Sequence, residues 1–173
     1  MMPSDESHAG EGGTGAPPPP HASNRVPSGL TREYERPEIR IQWYASRCIH
    51  SAACIRALPA AFNPQRRPWI DIGAADPDAL AQAVMRCPTG ALRFERADSG
   101  AQETIPDTVE ITAVPNGPYL VRGLVEIVDP VTQEVRRETR VALCRCGHSQ
   151  HKPFCDNTHR VIGFRSDPSR SGP

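Results

Sequence analysis

The sequence has little of what a large hydrophobic core requires. Aromatic residues make up 5% of the 173 residues and hydrophobic residues 38%, whereas prolines and glycines number 19 and 13. A chain with so little apolar side chain needs help beyond burial to stabilise its fold. We therefore expect a stabilising element other than the core itself.

Other absences exclude whole classes of protein. No apolar run approaches the ~18 residues of a membrane span, and no basic stretch followed by an apolar one indicates a secretory signal. Lysine plus arginine and aspartate plus glutamate each total 20, so charge predicts no nucleic-acid binding. The sequence contains no phosphate loop, nucleophile elbow or carboxylate pair of the kind that indicates an enzyme. We expect a cytoplasmic protein without catalytic residues or membrane attachment.

Six cysteines are the first positive signal. In a cytoplasmic chain, cysteines stay reduced, and metal ligation is a commoner role for them than disulfide formation. The sequence therefore predicts a metal-binding protein.

The composition divides the chain into a tail and two modules. The first residues, with Pro17–Pro20 and almost no large apolar side chains, predict a disordered segment. The predicted fold class is α+β, with a small ferredoxin-like βαβ module followed by a β-rich module. The predicted segments are a tail at 1–34, the first module at 36–96, a linker at 97–106, the second module at 107–166 and a tail at 167–173.

The first module has the pattern of a β-α-β-α-β unit. Alternating Ile39, Ile41 and Trp43 predict a strand, and Asp76 followed by Pro77 predicts the start of a helix. The remaining predicted elements are a short helix over Cys48–Leu58, a short strand at Trp69–Ile70 and a strand at Leu92–Phe94.

The second module has the pattern of a β-meander that leads into a cysteine-rich loop. Residues 115–118 form a Pro-Asn-Gly-Pro turn signal. The predicted strands are an alternating one at Val109–Ala113, a long one at Tyr119–Val128 and a returning one at Val135–Leu143.

The cysteine-rich loop carries the most specific motif. Cys144, Cys146, Cys155 and His159 have the spacing C-x-C-x8-C-x3-H, which brings four soft or borderline donors together. Asp156 directly follows Cys155, where its carboxylate would cap the helix start and fix the loop.

This segment resembles the CDGSH iron–sulfur (mitoNEET-like) family over roughly residues 107–166. The resemblance implies a [2Fe–2S] cluster with Cys144 and Cys146 on one iron and Cys155 and His159 on the other. The chain departs from the family motif at Asn157, where the family has glycine. Asparagine tolerates the left-handed conformation better than other residues with a side chain, so we expect the turn to persist. The residues that match family positions besides the ligands are Ser149, Pro153, Phe154 and Asp156.

A structural Cys3His zinc site is the alternative for this motif, because the same donors suit zinc. The C-x-C pair favours the iron cluster, since paired zinc thiolates are commonly two to four residues apart.

The first module carries a second cysteine set. Cys48 and Cys54 form C-x5-C, and Cys87 precedes Pro88, as the remote cysteine of bacterial ferredoxins does. Ser51 stands where the middle cysteine of C-x2-C-x2-C would be. Three thiolates hold three corners of a cubane, which favours a [3Fe–4S] cluster.

With the segments at 66–70 and 86–94, this set resembles the divergent mono-cluster ferredoxins over about residues 36–96. That resemblance implies a [4Fe–4S] cluster, so both cluster types stay open, as does a fourth ligand from Ser51 or water. Three buried cysteines without metal are the remaining alternative.

The cofactors predicted in this way assign a function class. We expect one-electron transfer to a redox partner protein, with a cluster donor or a redox or pH sensor as one alternative and a structural zinc protein as another. The CDGSH resemblance is also compatible with a homodimer.

The histidine ligand predicts an acid-labile cluster. Imidazole must be neutral to bind metal, and its free pKa is about 6.5, so protons compete with iron for His159. We expect visible absorbance to be lost faster as the pH falls from about 8 to 5. A His159→Cys variant with the same pH profile would show that His159 is not the cause.

Overall fold

The computed structural model describes residues 29–166. These residues form two three-stranded antiparallel sheets and three short helices, an α+β arrangement. The tail predicted at 167–173 and the first 28 residues of the tail predicted at 1–34 lie outside the described residues. The elements are β1 (Arg32–Arg36), β2 (Ile39–Trp43), α1 (Ala53–Ala57), α2 (Pro77–Met85), β3 (Leu92–Arg96), β4 (Glu110–Ala113), β5 (Tyr119–Val128), β6 (Val135–Leu143) and α3 (Thr158–Val161).

The N-terminal module has the order β-β-α-α-β, so the predicted β-α-β-α-β order is wrong. Its sheet runs β1-β2-β3 with antiparallel neighbours. The predicted strand at Trp69–Ile70 is reduced to a single bridge between Phe62 and Ile70. The third strand of the sheet is instead β1. Its sequence gives no hydrophobic pattern that predicts a strand, because only Tyr34 of its five residues is buried.

Strand β1 also corrects the tail boundary. The disordered tail predicted for 1–34 extends too far, because the chain is already paired with β2 from Arg32 onward. Backbone pairing with a neighbouring strand, rather than apolar content, places these polar residues in the fold.

The helix predicted over Cys48–Leu58 is wrong in its first half. His50 and Ala52 have φ values of 51° and 57°, which a right-handed helix does not allow. Helix α1 therefore begins only at Ala53, and residues 48–52 form a loop.

Helix α2 begins as the sequence predicts. The Asp76 carboxylate accepts a hydrogen bond of 2.8 Å from the Ala79 backbone N–H, and Pro77 is the first helical residue. The helix packs against the first sheet, and their shared core includes Ile39, Ile41, Phe62, Ile70, Leu80 and Val84.

The C-terminal module is the predicted meander, with sheet order β4-β5-β6. Strands β5 and β6 have the predicted bounds. Strand β4 begins at Glu110, and its alternation buries nothing, because Ile111 is 64% exposed. Between residues 29 and 166, no helix has the length and apolarity that crossing a bilayer requires.

The Arg140 side chain of β6 joins the two modules. Its guanidinium donates to the backbone oxygens of Val84, Cys87 and Leu92 at 2.8, 2.6 and 3.0 Å. The same group donates twice to the Glu103 carboxylate, at 2.8 and 3.1 Å. All five N–H donors of a buried arginine are thereby satisfied. The positive charge also lies at the C-terminal end of α2, where the helix dipole favours it.

A second buried ionic contact crosses the same interface. Glu138 of β6, 1% exposed, accepts hydrogen bonds of 3.0 and 2.8 Å from Arg47 and also pairs with Arg93. Gly90, with φ of 61°, allows the close approach, since an added Cβ would lie 2.6 Å from the Arg140 backbone oxygen.

The segment predicted as a linker, 97–106, has no helix or strand but is anchored. Besides Arg140, Glu103 binds the Thr139 hydroxyl at 2.7 Å. Burial raises the pKa of Glu103, but its bonds to Arg140 and Thr139 outweigh burial, so the pKa lies below the usual carboxyl range. The linker therefore holds an ionised carboxylate at the interface.

Removal of the Arg140 charge should destabilise the chain strongly. An Arg140→Met variant leaves Glu103 with the Thr139 hydroxyl as its remaining donor and removes the arginine donors from three backbone oxygens. Loss of one partner of a buried ion pair costs about 3–5 kcal/mol. Arg137 on the same strand is the control, because it is 65% exposed and pairs only with Glu126. Arg137→Met should cost less than about 1 kcal/mol. Equal free energies of unfolding in urea would contradict this account.

Candidate metal centres

The C-terminal site is built on one loop between β6 and α3. Cys144 directly follows β6, Cys155 lies on the returning part of the loop, and His159 is in α3. The Cys144 N–H donates to the Pro153 oxygen and the Cys155 N–H to the Ala142 oxygen, both at 2.8 Å. The loop therefore folds back along the end of β6 and brings the candidate ligand residues together.

Ser149 stabilises the turn of this loop. Its hydroxyl donates to the Phe154 backbone oxygen at 2.6 Å and accepts from the His151 N–H at 3.0 Å. The serine and phenylalanine that match family positions are thus bonded to each other in this chain.

Asp156 fixes both the loop and the start of α3, as the sequence predicts. Its carboxylate accepts from the Gln150 N–H at 2.8 Å and from the Thr158 N–H at 3.0 Å. Burial raises the pKa of Asp156, but these hydrogen bonds outweigh burial and hold the pKa far below the usual carboxyl range. The carboxylate therefore stays ionised and bonded at physiological pH.

Asn157 adopts the conformation expected of the glycine it replaces. Its φ of 75° and ψ of 0° are left-handed, and it occupies the position just before α3. The expectation that the turn persists with asparagine is confirmed.

The four donors form two close pairs. The Cys144 and Cys146 sulfurs are 3.8 Å apart, and the Cys155 sulfur is 3.3 Å from His159 Nδ1. Two thiolates on one tetrahedral metal with bonds of about 2.3 Å lie ~3.8 Å apart, and a thiolate with an imidazole lies slightly closer. Each pair therefore has roughly the spacing of two ligands on one metal.

The surroundings favour the metal-binding forms of Cys144 and His159. Burial raises the pKa of Cys144, but the backbone N–H groups of Ser149 and Gly147 outweigh it, so the pKa is lowered. Burial lowers the pKa of His159, which favours neutral imidazole. Burial also raises the pKa of Cys155, and thiolate charge at Cys144 raises it further. The two pairs are thus close enough to interact, and a metal's positive charge would offset this repulsion.

The pairs do not meet at one point. Across the described residues, no three or more side chains of histidine, cysteine, aspartate or glutamate are grouped to hold a single metal ion. A mononuclear zinc site needs four donors around one ion.

The N-terminal site collects its three predicted cysteines from separate elements. Cys48 lies in the loop with left-handed residues, Cys54 in α1, and Cys87 just after α2. Burial raises the pKa of Cys54 to about 11, and a thiolate at Cys87 adds to this increase. Burial likewise raises the pKa of Cys48, and the Cys87 charge again contributes. The three cysteines border one apolar core, but across the described residues they are not grouped closely enough to hold a single metal ion.

Two residues with donor side chains between Cys48 and Cys54 differ in their surroundings. His50 is exposed. The Ser51 hydroxyl is the acceptor of a 3.4 Å hydrogen bond from the Ala53 N–H at the start of α1. Ser51 is thus already part of the helix start.

Sequence patterns did not reveal three further residues around this site. The Thr89 hydroxyl is 3.6 Å from the Cys87 sulfur, and Arg140 binds the Cys87 backbone oxygen. Arg47 precedes Cys48. Burial lowers the pKa of Arg47 below its usual value, and negative charge at Glu138 and at Cys87 opposes this decrease. An arginine in a strand or loop is by default solvated, so only the tertiary contact reveals its role.

Comparison with known proteins finds family matches to two separate segments of the chain. The family model described as "Divergent 4Fe-4S mono-cluster" matches residues 34–97. The model described as "Iron-binding zinc finger CDGSH type" matches residues 116–160. Uncharacterized protein YjdI of Escherichia coli K12 is 32% identical over 66 residues, which are 38% of this chain and 87% of that protein. The YjdI of strain O157:H7 matches equally.

Fold and sites together define an iron–sulfur-binding protein made of two domains. The chain belongs to the divergent mono-cluster family through its first module and to the CDGSH family through its second. The resemblance drawn from the cysteine motifs is confirmed.

The left-handed turn at Asn157 gives a test of the loop. Asn157→Gly should keep stability and iron content, whereas Asn157→Ala should cost about 1 kcal/mol and release iron faster. Asn116 also has a positive φ, of 54°, in the turn between β4 and β5. Asn116→Ala should therefore cost stability without faster iron release. Equal iron retention in Asn157→Ala and Asn157→Gly would contradict the role of the turn.

Proposed function

We propose that the chain is a one-electron carrier with two iron–sulfur centres. Cys144 and Cys146 would hold one iron of a [2Fe–2S] cluster, and Cys155 and His159 the other. Cys48, Cys54 and Cys87 would hold the second cluster. When bound, such clusters take up and release single electrons without change in covalent structure.

The two donor pairs of the C-terminal site are the observation that carries this proposal. Separations of 3.8 and 3.3 Å within pairs suit two ligands per metal. Paired metals with two protein ligands each fit a two-iron cluster better than a mononuclear zinc site.

The N-terminal site supports a cubane-type cluster. Three cysteines border one apolar core, and the matching family is described as four-iron. Cys48, Cys54 and Cys87 are all the cysteines of this module, so three protein thiolates are the full set. We propose a [4Fe–4S] cluster with one iron that lacks a protein thiolate, and a [3Fe–4S] cluster as the form that remains when that iron is lost.

The chain's own groups would tune these sites. Cys155 and His159 are 4% and 7% exposed, which keeps water from this donor pair. The Ser149 and Gly147 N–H groups stabilise negative charge at Cys144, and Lys152 adds a positive charge nearby. Positive surroundings and a neutral imidazole both raise the reduction potential.

The same positive groups favour an acidic redox partner. The segment from Cys144 through Arg165 contains one acidic residue, Asp156, and four basic residues. The basic residues are Arg145, Lys152, Arg160 and Arg165. Opposite charge steers association and orients the partner.

Electron transfer and cluster donation make different predictions for the loaded chain. Repeated reduction with dithionite and reoxidation should restore the visible spectrum without loss of iron or sulfide. With an apo-ferredoxin present, the iron should stay on this chain. Transfer of iron and sulfide to the apo-ferredoxin as fast as the chain is reduced would contradict electron transfer and indicate a cluster donor.

A further inference from the structure

The loop of the N-terminal site contacts the loop of the C-terminal site. Cys48 is flanked by Arg47 and Ile49, and both neighbours lie against the second module. The Arg47 guanidinium lies 5.1 Å from the centre of the Phe154 ring. Since Phe154 directly precedes Cys155, residues adjacent to one ligand in each site are in contact.

Ile49 makes the second part of this contact. It belongs to a small buried cluster with Ala142 and Cys155, against which Leu120 also packs. Ile49 is thus the sequence neighbour of one candidate ligand, Cys48, and packs in the same buried cluster as another, Cys155. No solvent layer separates the two loops at this point, because all three clustered residues are buried.

An ion pair reinforces the contact. Arg47 forms a two-pronged hydrogen-bonded pair with Glu138, and both side chains are almost fully buried. Opening the interface would break these two hydrogen bonds together with the bonds of Arg140 to three backbone oxygens of the first module.

We propose that an electron delivered to either site reaches the other within the same chain, through the packed contact of Ile49 between the two loops. This inference rests on the proposed function of the two sites. The electron comes from an external one-electron donor such as dithionite, which is oxidised. In the internal step one site loses the electron that the other gains, and no covalent bond changes.

The rate of redistribution distinguishes an internal route from transfer between molecules. The anaerobically loaded full chain is mixed with less than one electron equivalent of dithionite, frozen at successive times, and its two EPR signals are measured. The exchange between signals should proceed at the same rate at every protein concentration. A rate proportional to protein concentration would overturn the proposal.

Two isoleucines provide a matched pair of variants. Ile49 and Ile55 each directly follow a candidate ligand, but Ile55 packs in the N-terminal core instead of at the second site. Ile49→Ala should slow the internal exchange several-fold, and Ile55→Ala should leave it unchanged. Equal rates in the two variants would overturn the role of Ile49. If Ile49→Ala fails to load, Ile49→Val makes the same comparison with Ile55→Val.

A spectroscopic measurement tests the closeness of the sites without any transfer. In fully reduced protein, each EPR signal should saturate at higher microwave power than in a Cys144→Ser or Cys87→Ser variant with one site disabled. Unchanged saturation would overturn the proposal. Iron, sulfide and zinc are measured in every sample, because zinc in place of iron defeats the proposed function itself, whereas iron-loaded chains without internal exchange defeat only this route.

Discussion

The Arg140 guanidinium is the interaction on which the arrangement of both sites depends. It binds the backbone oxygen of Cys87, at the end of α2, and lies on β6, which ends just before Cys144. One side chain therefore connects a candidate ligand of the first site to the strand that positions the second. Its partner Glu103 draws the connecting segment into the same network. A chain with so few aromatic residues uses this buried polar network where a larger protein would use apolar contact.

Local hydrogen bonds and backbone conformation fix the two loops, as Arg140 fixes one module to the other. Asp156 and Ser149 hold the C-terminal loop by its backbone N–H groups and oxygens, which keeps the donor pairs close together. The N-terminal site relies instead on two left-handed residues, His50 and Ala52, which turn the chain between Cys48 and Cys54. Loops fixed in this way reduce the conformational cost of binding a cluster.

The sequence predicted what local chemistry determines. Strand-like runs after a turn signal gave the bounds of β5 and β6, a capping aspartate gave the start of α2, and the motif of Cys144 to His159 indicated the residues that lie in close donor pairs. Strand β1 was missed because its five residues are mostly polar and depend on pairing with β2. The inward positions of Glu138 and Arg140 had no signal either, because a charged residue in a strand is normally solvated and only the opposing module shows otherwise.

The metal content of the chain tests the central claim most directly. The full chain would be purified anaerobically, and its iron, acid-labile sulfide and zinc measured together with its EPR spectrum before and after dithionite. Two iron–sulfur centres predict about five or six irons per chain, with sulfide in similar amount and little zinc. About five irons with a signal in the oxidised state identify a three-iron first cluster, and about six without one identify a four-iron cluster. One or more zinc ions per chain with little iron would contradict the account.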